Sequence, residues 1–328
     1  TNFELAERDK TYAKEVKKET KKVNDFMSTS YVKSNDESVN ALDTFESLNF
    51  TAKIKSTDYS FGFTHNPGLS DDEIVMSSSF LDQDSTAHPY LSLADEGFVA
   101  KTKYKISDSL NFETNVFFGD VEDDGNNLGR AASALTKLAY VKDKTNIGIE
   151  FGFINEYDTL LGAKFEGALA IGTSNYTYFT GLNAKTDLTA NLNLFANAYL
   201  GVTKANTATN SLITGMSDIV SHSASAGLEY NFADDKQAGF VISQPLKVSS
   251  GDVNFDVLTS GNIDKGYNYS NFSQSLSPSA TQLDLQAFYK QQMSENTKLQ
   301  FGALHKLNAG SVKGETDTSV LVKLRHKF

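Results

Sequence analysis

The chain lacks cysteine and tryptophan and has only 4 prolines among its 328 residues. Without cysteine there are no disulfide bonds and no thiolate metal sites, and an oxidising compartment, where free thiols are a liability, is favoured. Scarce proline suits long strands, because proline cannot donate to a strand ladder. The net charge of -11 argues against non-specific nucleic-acid binding, which needs a positive surface. We therefore expect no nucleic-acid partner.

Long hydrophobic runs are missing as well. No stretch approaches about 18 consecutive apolar residues, the length that a membrane-spanning helix requires. A membrane β-barrel escapes this test, because only alternate residues of each strand face lipid. The 23 phenylalanines and 14 tyrosines are numerous enough to form aromatic girdles at two membrane interfaces. The chain does not begin with Met and shows no signal-peptide pattern, so we expect a processed or trimmed product.

Apolar and polar residues alternate with a period of two along most of the chain from residue 47. In the last stretch Val320, Val322 and Leu324 alternate with basic residues, and the sequence ends in Phe328. Such an end is typical of the final strand of an outer-membrane β-barrel. We expect these four residues to form the signal that the barrel-assembly machinery reads. Short turns also alternate with long polar loops, which include residues 66–96 and 120–130, as periplasmic turns and outer loops do in such barrels.

These patterns predict an all-β fold, a transmembrane antiparallel β-barrel in the bacterial outer membrane with surface-exposed loops. We count about 12 strands, or about 14 if residues 47–65 form a hairpin and one segment is added to give an even number. A soluble β-sandwich or β-helix is the alternative. The predicted domains are an N-terminal helix with a connector over 1–46 and the barrel over 47–328. Expected partners are outer-membrane lipids and lipopolysaccharide, the assembly machinery and periplasmic chaperones, around a monomeric barrel.

The N-terminal segment differs from the rest of the sequence. Residues 1–27 are rich in Lys, Glu and Ala and contain no Gly or Pro, which predicts a helix. A charged helix with a thin apolar stripe suits a polar barrel lumen, and an exposed linker helix is the alternative. Asn24 and Asp25 lie in this predicted helix. They match a self-cleavage site only loosely, since an Asn–Asn pair is expected there, and the other interpretation is a polar pair at the end of the helix.

Charged residues alternate with apolar ones in several predicted strands and should therefore face the lumen. The predicted lumen-lining residues are Lys53, Lys101, Lys103, Lys105, Lys137, Glu113 and Glu150. Because lysines outnumber carboxylates in this set, a diffusion channel built this way would have a basic lumen and favour anions.

Several segments resemble the C-terminal β-domain of subtilisin-like autotransporters, the type V secretion proteins. They are YLSLADEG (90–97), Gly129-Arg130, Glu156 with TLLGAKFEGALA (159–170), Tyr178-Phe179, LFANAYLGVT (194–203), SQPLKVSSG (243–251) and the three final strands. The resemblance implies a translocator that passes an N-terminal serine protease passenger, not contained in this chain, to the cell surface. Its helix would then plug the pore. The alternative function is an outer-membrane porin or small-solute channel.

Catalytic and metal-binding motifs are incomplete. Gly172-Thr173-Ser174 lacks the continuation of a subtilisin nucleophile motif, and the five histidines have no metal-ligand spacing. Asp120, Glu122 and Asp124 partly match a calcium loop, but Ala131 stands where the closing glutamate belongs. We therefore expect no enzyme activity in this chain and no cofactor.

Overall fold

The computed structural model describes residues 16–24, 26–34, 45–65, 67–68, 80–82, 86–123, 126–233, 235–262 and 266–326. Three short 3-10 turns lie at Leu91–Leu93, Gly167–Leu169 and Ala309–Ser311. In this part of the chain no helix is long and apolar enough to cross a bilayer. The strands are β1 (Val16–Lys22), β2 (Met27–Ser34), β3 (Phe45–Ile54), β4 (Thr57–Thr64), β5 (Glu96–Lys105), β6 (Leu110–Asp123), β7 (Asn126–Lys142), β8 (Thr145–Tyr157), β9 (Thr159–Leu160), β10 (Ala163–Lys164), β11 (Ser174–Asp187), β12 (Leu192–Lys204), β13 (Ile213–Met216), β14 (Ile219–Ala233), β15 (Lys236–Ser250), β16 (Asp252–Asn262), β17 (Gly266–Ser275), β18 (Leu283–Ser294), β19 (Thr297–Leu307) and β20 (Thr316–His326).

One sheet dominates the described residues. It has 15 strands in the order β1-β2-β3-β4-β5-β6-β7-β8-β11-β12-β14-β15-β18-β19-β20. Its ladders are antiparallel and join strands that follow one another along the chain, so the sheet is a continuous meander. The other strands form a two-stranded sheet of β9 and β10 and a three-stranded sheet of β13, β16 and β17. The predicted all-β antiparallel class is confirmed.

The helix predicted over residues 1–27 is not seen. Residues 16–22 are β1, which pairs with β2 from Val16 opposite Ser34 to Lys22 opposite Ser28. Residues 1–15 lie outside the described residues. Helix propensity is a weak local preference, and the ladder with β2 outweighs it here. The predicted connector is likewise partly strand, because β2 occupies residues 27–34 within it.

The predicted strand number is also wrong, since 15 strands in the main sheet exceed both counts made from the sequence. β1 and β2 were assigned to the helix and its connector. β3 and β4 are two strands joined at residues 55–56 rather than one bulged strand. β6 and β7 run through most of the stretch predicted as a loop at residues 120–130. The pattern of alternation located strands well but fixed their ends poorly.

The two faces of the main sheet differ in the way that a membrane protein requires. The face that we call outer exposes large apolar side chains, including Phe98 at 72%, Phe61 at 63% and Val322 at 60%. The opposite face, the inner face, carries most of the buried side chains, polar ones such as Asn49 and Glu150 included. A sheet with apolar side chains outside and polar ones inside has the inverse of a soluble protein's pattern.

The connections differ between the two ends of the sheet. At the turn end, β3–β4, β7–β8 and β18–β19 are joined by two residues each, at 55–56, 143–144 and 295–296. At the opposite, loop end the longer connections include 158–173, 205–218 and 251–282. Within the described residues the edge strands are β1 and β20, and no ladder joins them. Both run toward the turn end, so they point in the same direction.

Candidate functional site

A segment between β4 and β5 crosses the inner face of the sheet. We call residues 80–82 and 86–95 the inner segment. Its first part is fixed to the far strands: the Phe80 ring packs edge-on against Phe288 of β18 at 4.9 Å between centroids. The Asp82 amide donates to Gln286 at 2.9 Å, and the Gln286 side chain donates back to the Asp82 carbonyl at 3.1 Å. Phe80 is fully buried, so its ring fixes this part of the inner segment to β18.

A second anchor lies at Tyr90. Its ring stacks on Phe179 of β11 at 5.0 Å and 8°, and its hydroxyl donates to the backbone carbonyl of Ser221 on β14 at 3.0 Å. The ring lies over Gly201 of β12, where a Cβ would come within 2.5 Å of it, so only glycine leaves enough room. Burial raises the pKa of the Tyr90 phenol to about 12, against the opposing effect of its hydrogen bond to Ser221. The phenol therefore stays neutral at physiological pH.

His88 connects the inner segment to β8. Its Nε2 lies 3.0 Å from Oε1 of Glu150, an ion-pair distance at which the angles of a hydrogen bond are not met. The backbone amide of Leu91 donates to Nδ1 at 3.3 Å, so the neutral ring carries its proton on Nε2, facing the carboxylate. Asn183 of β11 donates to the other oxygen of Glu150 at 3.2 Å. Both His88 and Glu150 are more than nine-tenths buried.

Six charged side chains form a line across the inner face, perpendicular to the strands. The register places each directly opposite the next on neighbouring strands, and their signs alternate. We call this line the charge row. From β3 to β8 it consists of Lys53, Asp58, Lys103, Glu113, Lys137 and Glu150. The Lys103 ammonium lies 2.8 Å from Glu113 and the Lys53 ammonium lies 4.0 Å from Asp58. Directly opposed unlike charges stabilise an antiparallel pair.

An open cavity separates the charge row from the inner segment. Its volume is about 360 Å³. Both walls contribute to it: His88 and Leu91 come from the inner segment, and Lys101 comes from β5 beside the row. The charged residues that line it are Asp58, Lys101, Lys103, Glu113, Lys137 and Glu150, and hydroxyl, amide and aromatic groups complete it at Thr51, Ser60, Asn115, Asn183, Asn197 and Tyr199. The cavity is polar and holds as many lysines as carboxylates.

The predicted lumen-lining residues share the inner face. Lys101, Lys103, Lys137, Glu113 and Glu150 all line the cavity. Lys53 ends the charge row. Lys105 lies further along β5 toward the turn end, where its ammonium contacts Asp108 at 2.8 Å. That contact holds the pKa of the Asp108 carboxyl below its ordinary value. The predicted excess of positive charge is therefore largely balanced by carboxylates on neighbouring strands.

Asn24, the described member of the predicted self-cleavage pair, does not lie in a helix. Asn24 lies in the turn between β1 and β2, where its side-chain oxygen accepts a hydrogen bond from the Phe26 amide at 2.8 Å. Such a bond is the ordinary role of asparagine in a tight turn. Asp25 lies outside the described residues. The helical setting on which the cleavage prediction depended is thus wrong at this position.

The remaining predicted residues lie on the outer face or at its rim. Asp120 is directly opposite Arg130, with 3.8 Å between the carboxylate and the guanidinium. Glu122 is next to the stretch that contains Asp124, which lies outside the described residues, and no metal-binding group of acidic or histidine side chains is found in the described part of the chain. The final-strand residues Val320, Val322 and Leu324 are exposed on β20, as the alternation predicts, and Phe328 lies outside the described residues.

One of the segments that resemble the autotransporter β-domain, Glu156 with residues 159–170, has a structural explanation. Glu156 is fully buried and accepts hydrogen bonds from the amides of Leu161 and Gly162 at 2.9 and 2.7 Å. Asn175 donates to the Thr159 carbonyl at 2.7 Å. Together they fasten the turn after β8 to the sheet. These residues therefore support the loop end and take no part in the cavity.

Sequence reasoning missed His88 and Tyr90, because residues 66–96 were predicted to be an outer polar loop. The signal that could have found them is local composition. His88, Tyr90, Leu91 and Leu93 are more apolar and aromatic than a solvated loop needs. Loops with such residues often fold back on their protein.

Comparisons with solved structures find outer-membrane proteins. The trimer form of OmpT, an outer membrane protein of Vibrio cholerae, gives a TM-score of 0.55 at 11% identity and covers 95% of this chain and 89% of that one. An anion-selective porin from Comamonas acidovorans gives 0.52 at 10% identity, covering 94% and 87%. Another porin gives 0.50 at 11% identity, covering 95% and 91%. None of these three is an autotransporter. No family model and no curated protein matches the sequence. At such identities the likeness shows the fold, which is that of bacterial outer-membrane barrel proteins and agrees with the predicted outer-membrane location.

Proposed function

We propose that this chain is an outer-membrane diffusion channel for small polar solutes. The observation that carries the proposal is the polar cavity between the charge row and the inner segment. A sheet built only for stability would gain by filling that space with apolar side chains. Here the space is open and lined by lysines, carboxylates, hydroxyls and amides, as an aqueous passage requires. The proposal includes no catalytic step and no cofactor.

Aromatic residues on the outer face support the proposal that the sheet lies in the bilayer. Phe63, Phe98 and Phe118 stand side by side at one level across β4–β6. Tyr104 and Phe112 stand at a second level, six residues away along β5. At about 3.4 Å per residue these levels are roughly 20 Å apart, close to the height of the apolar band of outer-membrane barrels. The two levels can serve as aromatic girdles against outer-membrane lipid.

A channel requires that the sheet close on itself, which we include in the proposal. Because β1 and β20 point in the same direction, closure needs either a parallel ladder between them or one further strand. The chain has no native cysteine, so introduced pairs report cleanly. One cysteine replaces Thr20 of β1, and a second is placed at each position of β20 in turn. If β1 and β20 pair directly, a disulfide should form in the variants whose two cysteines lie opposite each other. Failure at every position would favour the further strand.

The translocator function implied by the autotransporter resemblance is the competing proposal. It depends on a helix that plugs the lumen, and β1 takes the place of that helix over residues 16–22. The inner segment, which lies between β4 and β5, occupies the inner face instead. The two proposals differ in conductance: a lumen plugged by a helix would conduct little or in flickers, whereas the channel proposed here should conduct steadily.

Single-channel conductance in planar bilayers tests the channel directly. The intact chain should conduct steadily, and replacing residues 80–94 by a short Gly-Ser linker should raise the conductance because the inner segment no longer narrows the passage. The matched control removes residues 258–269, the tip of the β16–β17 hairpin outside the main sheet, and should leave conductance unchanged. An intact, folded chain that does not conduct would overturn the proposal.

A further inference from the structure

We propose, on the basis of the channel function above, that the cavity selects small zwitterions, molecules that carry one ammonium and one carboxylate group. The lining holds three lysines and three carboxylates: Lys101, Lys103, Lys137, Asp58, Glu113 and Glu150. The charges of these six side chains sum to zero. A solute that brings both signs matches the wall without adding net charge to the cavity.

The alternation of the charge row determines what a solute experiences. Neighbouring strands lie about 4.8 Å apart, and the paired charges of opposite sign approach more closely still, to 2.8 Å between Lys103 and Glu113. Beyond a comparable distance from the wall, the attraction of each charge is cancelled by its neighbours. The row therefore gives little long-range preference for anions or cations. A zwitterion in contact with the wall can place each of its charges opposite a complementary one.

Lys137 is the cation best placed to receive the solute's carboxylate. It lies between Glu113 and Glu150 in the register, yet its ammonium makes no ion pair among the described residues. Its stem passes over Gly148 of β8, where a Cβ would come within 2.5 Å of the lysine Cε. The missing side chain at Gly148 thus gives the lysine room to lie along the wall of the cavity.

Two acceptors near Lys137 have unused capacity for the solute's ammonium. Oε1 of Glu150 is buried and forms no aligned hydrogen bond, although it lies 3.0 Å from His88. Oδ1 of Asn115, one row further toward the loop end, is buried without a hydrogen-bond partner. Both residues line the cavity. Buried polar atoms without partners are uncommon in native proteins, and here they face a polar space that a donor can enter.

Uptake of four molecules of nearly equal size tests the selection. Liposomes containing the full chain are supplied with labelled alanine, lactamide, lactate or alaninamide at neutral pH, which are respectively zwitterionic, neutral, anionic and cationic. Alanine should enter about fivefold faster than lactamide, the ratio that corresponds to about 1 kcal/mol at a partly exposed charge pair. Lactate and alaninamide should differ little from each other.

Variants of Lys137 and Glu150 test whether these residues cause the preference for alanine over lactamide. Lys137→Met should reduce the alanine-to-lactamide ratio to near one, and Glu150→Gln should reduce it as well. Lys144→Met removes the same charge from the exposed β7–β8 turn and should leave the ratio unchanged. Each variant is compared as a ratio of two solutes, so a partial loss of folded protein cancels.

The outcomes separate this inference from the function on which it rests. If no solute enters through the intact chain, the channel itself is refuted. If all four enter at the same rate, or if lactate enters fastest, the channel stands and zwitterion selection is refuted. If alanine is preferred but Lys137→Met and Lys144→Met behave alike, the assignment to Lys137 is refuted.

Discussion

The inner face has two halves that differ in chemistry. Across β3–β8 it carries the charge row, with six charged side chains on six neighbouring strands. At the same level on β11, β12 and β14 stand Gly181, Tyr199 and Ser223, which carry no charge. The inner segment docks mainly on this second half, through Phe80 and Tyr90.

Desolvation explains why the segment covers one half and not the other. Burying an ionised side chain against an apolar surface costs several kcal/mol even in a relaxed protein. Glycine, serine and aromatic side chains impose no such cost and offer space for rings. At the level of the charge row the segment touches the charged half where His88 meets Glu150, and nearer the loop end its Asp95 hydrogen-bonds with β6. The uncovered charged half becomes the wall of the cavity, so the charge pattern determines where the passage lies.

The largest effect should follow from breaking the docking at its apolar anchor. Phe80→Ala removes a fully buried ring from a cluster with Phe195, Val241 and Phe288. We expect a loss of about 3–5 kcal/mol in the free energy of unfolding, measured by urea titration in detergent. Tyr267→Ala, on the hairpin outside the main sheet, should change it by less than about 0.5 kcal/mol. Equal losses would contradict the anchor.

A smaller effect should follow at His88 and Glu150, where the inner segment meets the charge row. Glu150→Gln removes the charge beside His88 and leaves polar groups poorly matched, at a cost of about 1–3 kcal/mol in the free energy of unfolding. The control is Glu113→Gln, whose partner Lys103 is more exposed and can turn to solvent. If Glu113→Gln lowers the free energy of unfolding as much as Glu150→Gln does, the contact of Glu150 with the inner segment does not stabilise the fold.

Ion selectivity should respond to a change of sign within the charge row. Lys103→Glu places three adjacent carboxylates on β4–β6, beginning and ending at Asp58 and Glu113. The reversal potential in a potassium chloride gradient should shift toward cations by about fivefold in permeability ratio, since a partly exposed charge is worth up to about 1 kcal/mol. Lys144→Glu in the exposed turn should shift it less. An unchanged reversal potential would show that ions do not pass the row.

The smallest effect is expected at the turn end, far from the cavity. Asp108 is fully exposed, and its pKa is lowered below 3.8 by the hydrogen bond and the charge of Lys105. Its contribution to stability is therefore present above that pH and is lost as the pH falls through the lowered value. Asp108→Asn should remove this small pH dependence, leave conductance unchanged and lower the free energy of unfolding at neutral pH only by the same small amount. A clear loss at neutral pH would mean that the turn matters more than its exposure indicates.

The sequence predicted which face of the sheet a side chain occupies better than it predicted which residues lie beside that side chain on neighbouring strands. Alternation is local, so Lys101, Lys103 and Lys137 could be assigned to the polar face from their own strands. The pairing of Lys137 with Glu113 and Glu150 depends on register, which brings together residues from three strands. Asp58, which register places between Lys53 and Lys103, was not in the predicted lumen-lining set, so a basic lumen was predicted where the structure shows balanced charge. The inner segment was missed as well, since its partners are far away in sequence.

The contact between Asp82 and Gln286 joins residues that are 204 positions apart. Such a contact can form only after nearly every strand of the main sheet has been made, because loop-closure entropy delays the most distant pairings. The inner segment is attached to β4 and to β5 at the loop end, so it can fold onto the inner face from that end without threading. Its docking on β18 needs the C-terminal strands in place and therefore marks the completion of folding.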